Sequence, residues 1–250
     1  IILVLFLSTL RKEHLLETIG KLNWVNVAVI LGLTVLNVVA KAIRWRLLVR
    51  KISRVSLSVS FAFTSILAGI AAGSFIPGRI EMAKPLLLKT EKKIPFAESF
   101  SALFLERILD LFSIMIIVAI TLTFLPQQEW QGPLMYTIAI IIAILIISLL
   151  VDPHISQKII RFFLTKCPFP VSFAQKCQHF ETTFFESLQA VRKKGFIMNL
   201  LLFSTLTNII EVIRLYYLLT LFQLLLPSLY HFALVGFIFS LGVVISILSM

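Results

Sequence analysis

Apolar runs of bilayer length recur along this chain, at 24–40, 55–76, 96–124, 134–150, 196–226 and 232–250, and most of its charge stands between them. A hydrocarbon layer about 30 Å thick needs about 20 helical residues to cross it. Inside that layer every backbone N–H and C=O must find a partner within the protein, so a helical bundle is the architecture the pattern allows. Composition removes the soluble alternative. Of the 250 residues, 59% are hydrophobic and mean hydropathy is +1.00. A soluble domain of this length could not enclose so much apolar surface. The chain reads as an all-α polytopic integral membrane protein, multi-pass in the cell (plasma) membrane.

The charges orient it. A net charge of +11 would point to nucleic acid in a soluble protein. Here the cations lie in the polar stretches, as expected of cytoplasmic loops facing anionic lipid. No nucleic-acid partner is expected; membrane lipids are. The block from Lys41 to Arg54 holds Lys41, Arg44, Arg46, Arg50, Lys51 and Arg54 without one acid, and is expected in the cytoplasm. "PQQEWQGP", which has Glu129 and no cation, reads as an outside turn. Residues 152–195 carry seven Lys or Arg against Asp152, Glu181 and Glu186 and return to the inside. Within them Phe173, Cys177, Phe180, Phe184, Leu188 and Val191 recur at helical spacing, which predicts an amphipathic helix on the membrane face or against the bundle. Cys167 and Cys177 fall in this cytoplasmic region, so no disulfide framework is expected. "IILVLFLSTL" has ten residues before Arg11, a rise of about 15 Å, so the first helix is expected to be cut at its start, and the chain is expected to be cut at Met250 too. The tally is about six transmembrane helices in a single bundle over 1–250.

"AGIAAGSFIPGRIEMAKPLLLKT", residues 68–90, departs from that scheme. The apolar run 55–76 is long enough to cross, yet "KTEKK" at 89–93 is basic again a dozen residues after Pro77. Two cationic ends around a Pro-Gly break predict a re-entrant element over about 56–90, which enters, turns at Pro77 and Gly78, and leaves on the same side. A full crossing followed by a short return helix is the alternative. Gly69, Ala71, Ala72 and Gly73 would admit close approach of a helix or lipid, and would suit a homo-oligomer equally well. Arg79 and Lys84, near free N–H groups at the start of the next helix, have the chemistry to hold a phosphate; Glu81 between them would trim affinity or take an amino group.

Further charges lie deep in apolar runs. Glu106, Arg107 and Asp110 sit ten to fourteen residues after Phe96, with Glu106 and Asp110 one turn apart on a shared face. Glu211 and Arg214, with Asn208 a turn earlier, make a second polar cluster. Unpaired charges in hydrocarbon are costly, so both groups are expected to face the bundle interior. Each is either an internal ion pair that sets helix register or part of a polar route for a headgroup.

Three pieces together carry a resemblance. Asn37 with "RW" at Arg44 and Trp45, "FIPGRIEMAKPLLL" from Phe75 to Leu88, and "ERILD" from Glu106 to Asp110 resemble the membrane region of the lysylphosphatidylglycerol synthase and flippase family, including stand-alone members without the aminoacyl-transferase domain. The family pattern has Asn and Arg-Trp in an early helix, a "PGR-x-GE-x-x-R/K" loop and "ER-x-x-D" in the next helix. Ile80 replaces the glycine usual before the loop glutamate. The resemblance adds Asn37 and Arg44 to the substrate-binding candidates. It implies a bundle with re-entrant segments that handles phospholipid or polyprenyl-phosphate molecules, moving them between leaflets.

The reading that results is a lipid flippase or lipid-binding transporter for anionic phospholipid or polyprenyl-phosphate headgroups. Arg79 and Lys84 would receive the phosphate, and Glu106, Arg107 and Asp110 would form a compensated polar path. A membrane-embedded transferase with Glu106 or Asp110 as general base is the alternative. A structural subunit whose charges only lock helices is the third. His14, His154, His179 and His231 are scattered and no nucleotide loop is present, so no metal, cofactor or catalytic residue is assigned.

Overall fold

The computed structural model describes residues 23–75, 81–126, 132, 133, 137, 140, 180, 182–187, 189–191, 194–221 and 225–248. Six helices are built from these: α1 (Trp24–Ser53), α2 (Val59–Phe75), α3 (Ala83–Lys92), α4 (Phe96–Leu122), α5 (Lys194–Leu221) and α6 (Leu229–Leu248). Residues 182–187 are helical as well, and no strand occurs among the described residues. The expected crossing at 1–10, that at 134–150 apart from residues 137 and 140, the Pro77-Gly78 turn with Arg79, and Cys167 and Cys177 lie outside the described residues.

Local chemistry sets the helix ends. Asn23 caps α1, its side-chain oxygen accepting from the Val25 N–H at 3.1 Å. Arg50 and Lys51 occupy the last turn, where cations oppose the partial charge of the carbonyls. α3 ends on Lys93 in the left-handed region (φ 53°), and the Ile94 N–H returns to the Leu88 carbonyl at 3.2 Å. Pro95 follows at the N-cap of α4, so the chain reverses direction in three residues.

α1, α4 and α5 pack against one another and form the centre; α6 lies on α4 and α5, α2 on α1, and α3 on α2 and α4. α1 and α5 run antiparallel, linked by Tyr217 Oη donating to Asn26 (2.8 Å), Asn37 Nδ2 donating to the Thr207 carbonyl (2.7 Å) and Lys51 lying over Phe196. One core cluster gathers Trp45, Leu48, Leu57, Ile66, Leu88, Leu105 and Leu200, and a second gathers Ile114, Met115, Val118 and Leu122 with Phe237 and Val243. Gly236 allows the second: a Cβ there would meet Thr121 Cγ2 at 2.8 Å, so only glycine lets α6 approach α4 this closely.

α1 and the stretch Gly195–Leu221 are long and apolar enough to cross a membrane. Val59–Gly73 and Leu229–Val244 are shorter apolar helices. α4, at 27 residues, rises about 40 Å but carries Glu106, Arg107 and Asp110 in its middle. The described part of the amphipathic segment takes its bundle-facing option. Phe180 and Phe184 lie against Phe100 and Phe104 of α4, and Ser101 Oγ donates to the Phe184 carbonyl.

Candidate functional site

The expected cationic block is divided by helical periodicity. α1 continues unbroken through it to Ser53, and residues 37, 41, 44, 45 and 48 share the face turned to α4 and α5. Arg44 is 1% exposed and Lys41 lines an internal cavity, so neither belongs to a loop. Both therefore face inward from the basic stretch of α1. The reason is that an uninterrupted helix places every third or fourth cation inward whatever its neighbours do.

Arg44 is the hub. Nη2 bonds Glu106 Oε1 at 2.6 Å; Nη1 bonds Asp110 Oδ1 at 2.5 Å and Ser204 Oγ at 2.5 Å. The i,i+4 spacing of Glu106 and Asp110 on α4 presents two carboxylates to one planar guanidinium, which suits forked recognition. Lys84 Nζ bonds the other Glu106 oxygen at 3.1 Å and pairs with Glu81. Glu81 also pairs with Arg107 Nη2 at 2.5 Å, and Arg107 Nη1 reaches Asp110 Oδ2 at 3.5 Å. The contacts close into a ring of alternating charge: Arg44, Glu106, Lys84, Glu81, Arg107, Asp110. One edge, Arg44, Glu106 and Lys84, is at most 2% exposed. The other edge, Glu81, Arg107 and Asp110, opens onto the cavity. Trp45 supports the buried edge, its ring 5.2 Å from Lys84 Nζ.

Gly69 on α2 makes the room for Lys84. A Cβ there would stand 3.0 Å from Lys84 Cε. The small-residue stripe expected to admit a helix or lipid thus admits, at Gly69, a lysine stem.

The second cluster faces the same cavity. Lys41 Nζ bonds Glu211 Oε1 at 3.1 Å, and Arg214 pairs with the other Glu211 oxygen while Nη1 donates to Thr34 Oγ1 at 3.3 Å. Asn208 Nδ2 donates to Ser113 Oγ at 2.9 Å. The cavity holds about 420 Å³, and its lining is of two kinds. Both charged clusters supply the polar part; Ile66 and Ile70 of α2 with Phe239 and Val243 of α6 supply the apolar part.

Of the candidates from sequence, Glu81, Lys84, Arg44, Glu106, Arg107, Asp110, Asn208, Glu211 and Arg214 all line this cavity. Asn37 does not; it is buried against the Thr207 carbonyl and ties α1 to α5. Lys41, Ser204 and Ser113 were missed. Lys41 is three residues before Arg44, so helical periodicity alone would have found it; the two serines carry no sequence signal that marks them. Lys84 is among the candidates that line the cavity, its ammonium paired with the carboxylates of Glu81 and Glu106. Among the described residues no group of His, Cys, Asp and Glu is arranged to hold a metal ion.

The family described as the lysylphosphatidylglycerol synthase TM region matches residues 1–249, and the chain belongs to it. It is therefore a membrane protein of a lipid-related class. No curated protein and no solved structure gives a match.

Proposed function

We propose that this member of the lysylphosphatidylglycerol synthase TM region family is a flippase or lipid-binding transporter for anionic phospholipid or polyprenyl-phosphate headgroups. It crosses the plasma membrane about six times, with a re-entrant element between the basic ends of α1 and α3. The observation that carries the reading is the cavity of about 420 Å³, lined both by charged side chains of the two clusters and by apolar side chains of α2 and α6. That volume suits a headgroup, with acyl or prenyl chains left among the apolar side chains of α2 and α6. A charged headgroup in hydrocarbon needs compensating charges along its way, and the ring and the Lys41–Glu211–Arg214 cluster supply both signs. Glu106 and Asp110 are both held by Arg44, which disfavours either as a free general base in a transferase.

The test is leaflet exchange of a fluorescent phosphatidylglycerol in liposomes, with the chain and with Glu106→Gln. The expected result is faster exchange than in protein-free liposomes, lost in a Glu106→Gln variant that retains its helical content. Exchange at the protein-free rate by the folded chain would sink the reading.

A further inference from the structure

We infer that Lys41 and Arg214, bridged by Glu211, form a docking site for one singly charged phosphate group, separate from the ion ring. The ring has three cations and three carboxylates, each paired on both sides, so it carries no surplus with which to attract an anion. Lys84 in particular lies between two carboxylates and over Trp45, with 2% exposure. In the second cluster two cations share a single carboxylate, leaving one positive charge. The Lys41 and Arg214 side chains are 27% and 33% exposed, more open than any member of the ring.

Depth makes that surplus consequential. Lys41 is ten residues, about 15 Å along the helix, from Lys51 near the basic end of α1. An uncompensated charge in low-dielectric surroundings is unfavourable, and an entering anion removes the imbalance. Arg214 keeps guanidinium N–H groups beyond those given to Glu211 and Thr34, and Lys41 sets a point charge beside it. A single negative charge matches the surplus; a doubly charged group overfills it. Only the choice of a lipid as carrier of the phosphate rests on the transport reading.

The test measures binding rather than exchange. The chain is placed in phosphatidylcholine nanodiscs, and occupancy by a fluorescent phosphatidylglycerol is titrated for wild type, Glu211→Gln and the double variant Lys41→Gln/Arg214→Gln. Removing the bridging carboxylate doubles the surplus, so Glu211→Gln is expected to raise affinity about tenfold. The double variant is expected to lower affinity by at least about tenfold. A misfolded protein does not gain affinity, so unchanged or weaker binding by Glu211→Gln overturns the site. Competition by inorganic phosphate identifies a free anion as sufficient; displacement by unlabelled phosphatidylglycerol alone identifies the lipid, and both outcomes support the site. Binding that responds as expected without leaflet exchange keeps the site and removes the transport reading. Exchange with binding unmoved in both variants does the reverse.

Discussion

At the residue scale the site depends on one missing side chain and one closed circuit. Gly69 leaves space for the Lys84 stem, so Gly69→Val is expected to push Lys84 from the ring, destabilise by about 1–3 kcal/mol and slow lipid exchange. Thermal unfolding in detergent, read beside the exchange rate, checks this; unaltered melting and exchange would show that the stem has room elsewhere. Reversing Arg107 and Asp110 together would look conservative for a simple i,i+3 pair. In the ring it is not. A carboxylate at position 107 would face Glu81, and a guanidinium at position 110 would face Arg44, so combining Arg107→Asp with Asp110→Arg is expected to lose about 3–5 kcal/mol or more. Retention of full stability by this double variant, measured the same way, would mean that the two residues pair mainly with each other. Glu106, Arg107 and Asp110 were legible in sequence because charges inside an apolar run stand out, Glu81 and Lys84 because they follow the Pro-Gly break, and Arg44 only through the family resemblance. Their partners were not, because Arg44 meets Glu106 and Asp110 from a distant part of the chain, and spacing says nothing about which helices touch.

At the scale of elements, α6 is held on α4 by the absence of a side chain at Gly236. Gly236→Ala brings a methyl into Thr121 Cγ2, which would stand 2.8 Å away. The expected cost is about 1–3 kcal/mol, largely recovered by Thr121→Ser, which deletes the methyl and keeps the hydroxyl that donates to the Val118 carbonyl. Detergent melting curves for the single and double variants test it; failure of the serine to rescue would place the close contact elsewhere. α1 teaches a related lesson. Its cationic half is expected in the cytoplasm by charge, and because nothing in "KAIRWRLLVRK" breaks a helix, the helix persists to Ser53. The short α3 was foreseen as the return limb of a re-entrant element or as a short return helix after a full crossing, and its placement on both α2 and α4 comes from the buried contacts of Leu88 and Lys84.

For the whole molecule the outward faces are as informative as the cavity. Leu31, Val35, Ile120, Leu202, Leu206 and Ile238 are each at least half exposed, although they are apolar. In water such a surface would drive association; in a bilayer it is the expected lipid contact. With Cys167 and Cys177 replaced by serine, cysteines placed at Val35, Ile120 and Leu206 are expected to resist a water-soluble maleimide in liposomes and to react with a lipid-soluble one. Rapid labelling by the water-soluble reagent would contradict membrane crossing by α1, α4 and α5.

Sequence by itself determined that this is a helical membrane protein, which runs carry the helices, and that charges lodged in those runs turn inward. These follow from solvation, which acts on each segment according to its own composition. Only the tertiary structure decided that six charged residues, three of them outside those runs, close into a neutral ring, that Lys84 is committed to it, and that the surplus positive charge lies with Lys41 and Arg214. Charge balance is a property of neighbours, and neighbours are set by how helices pack.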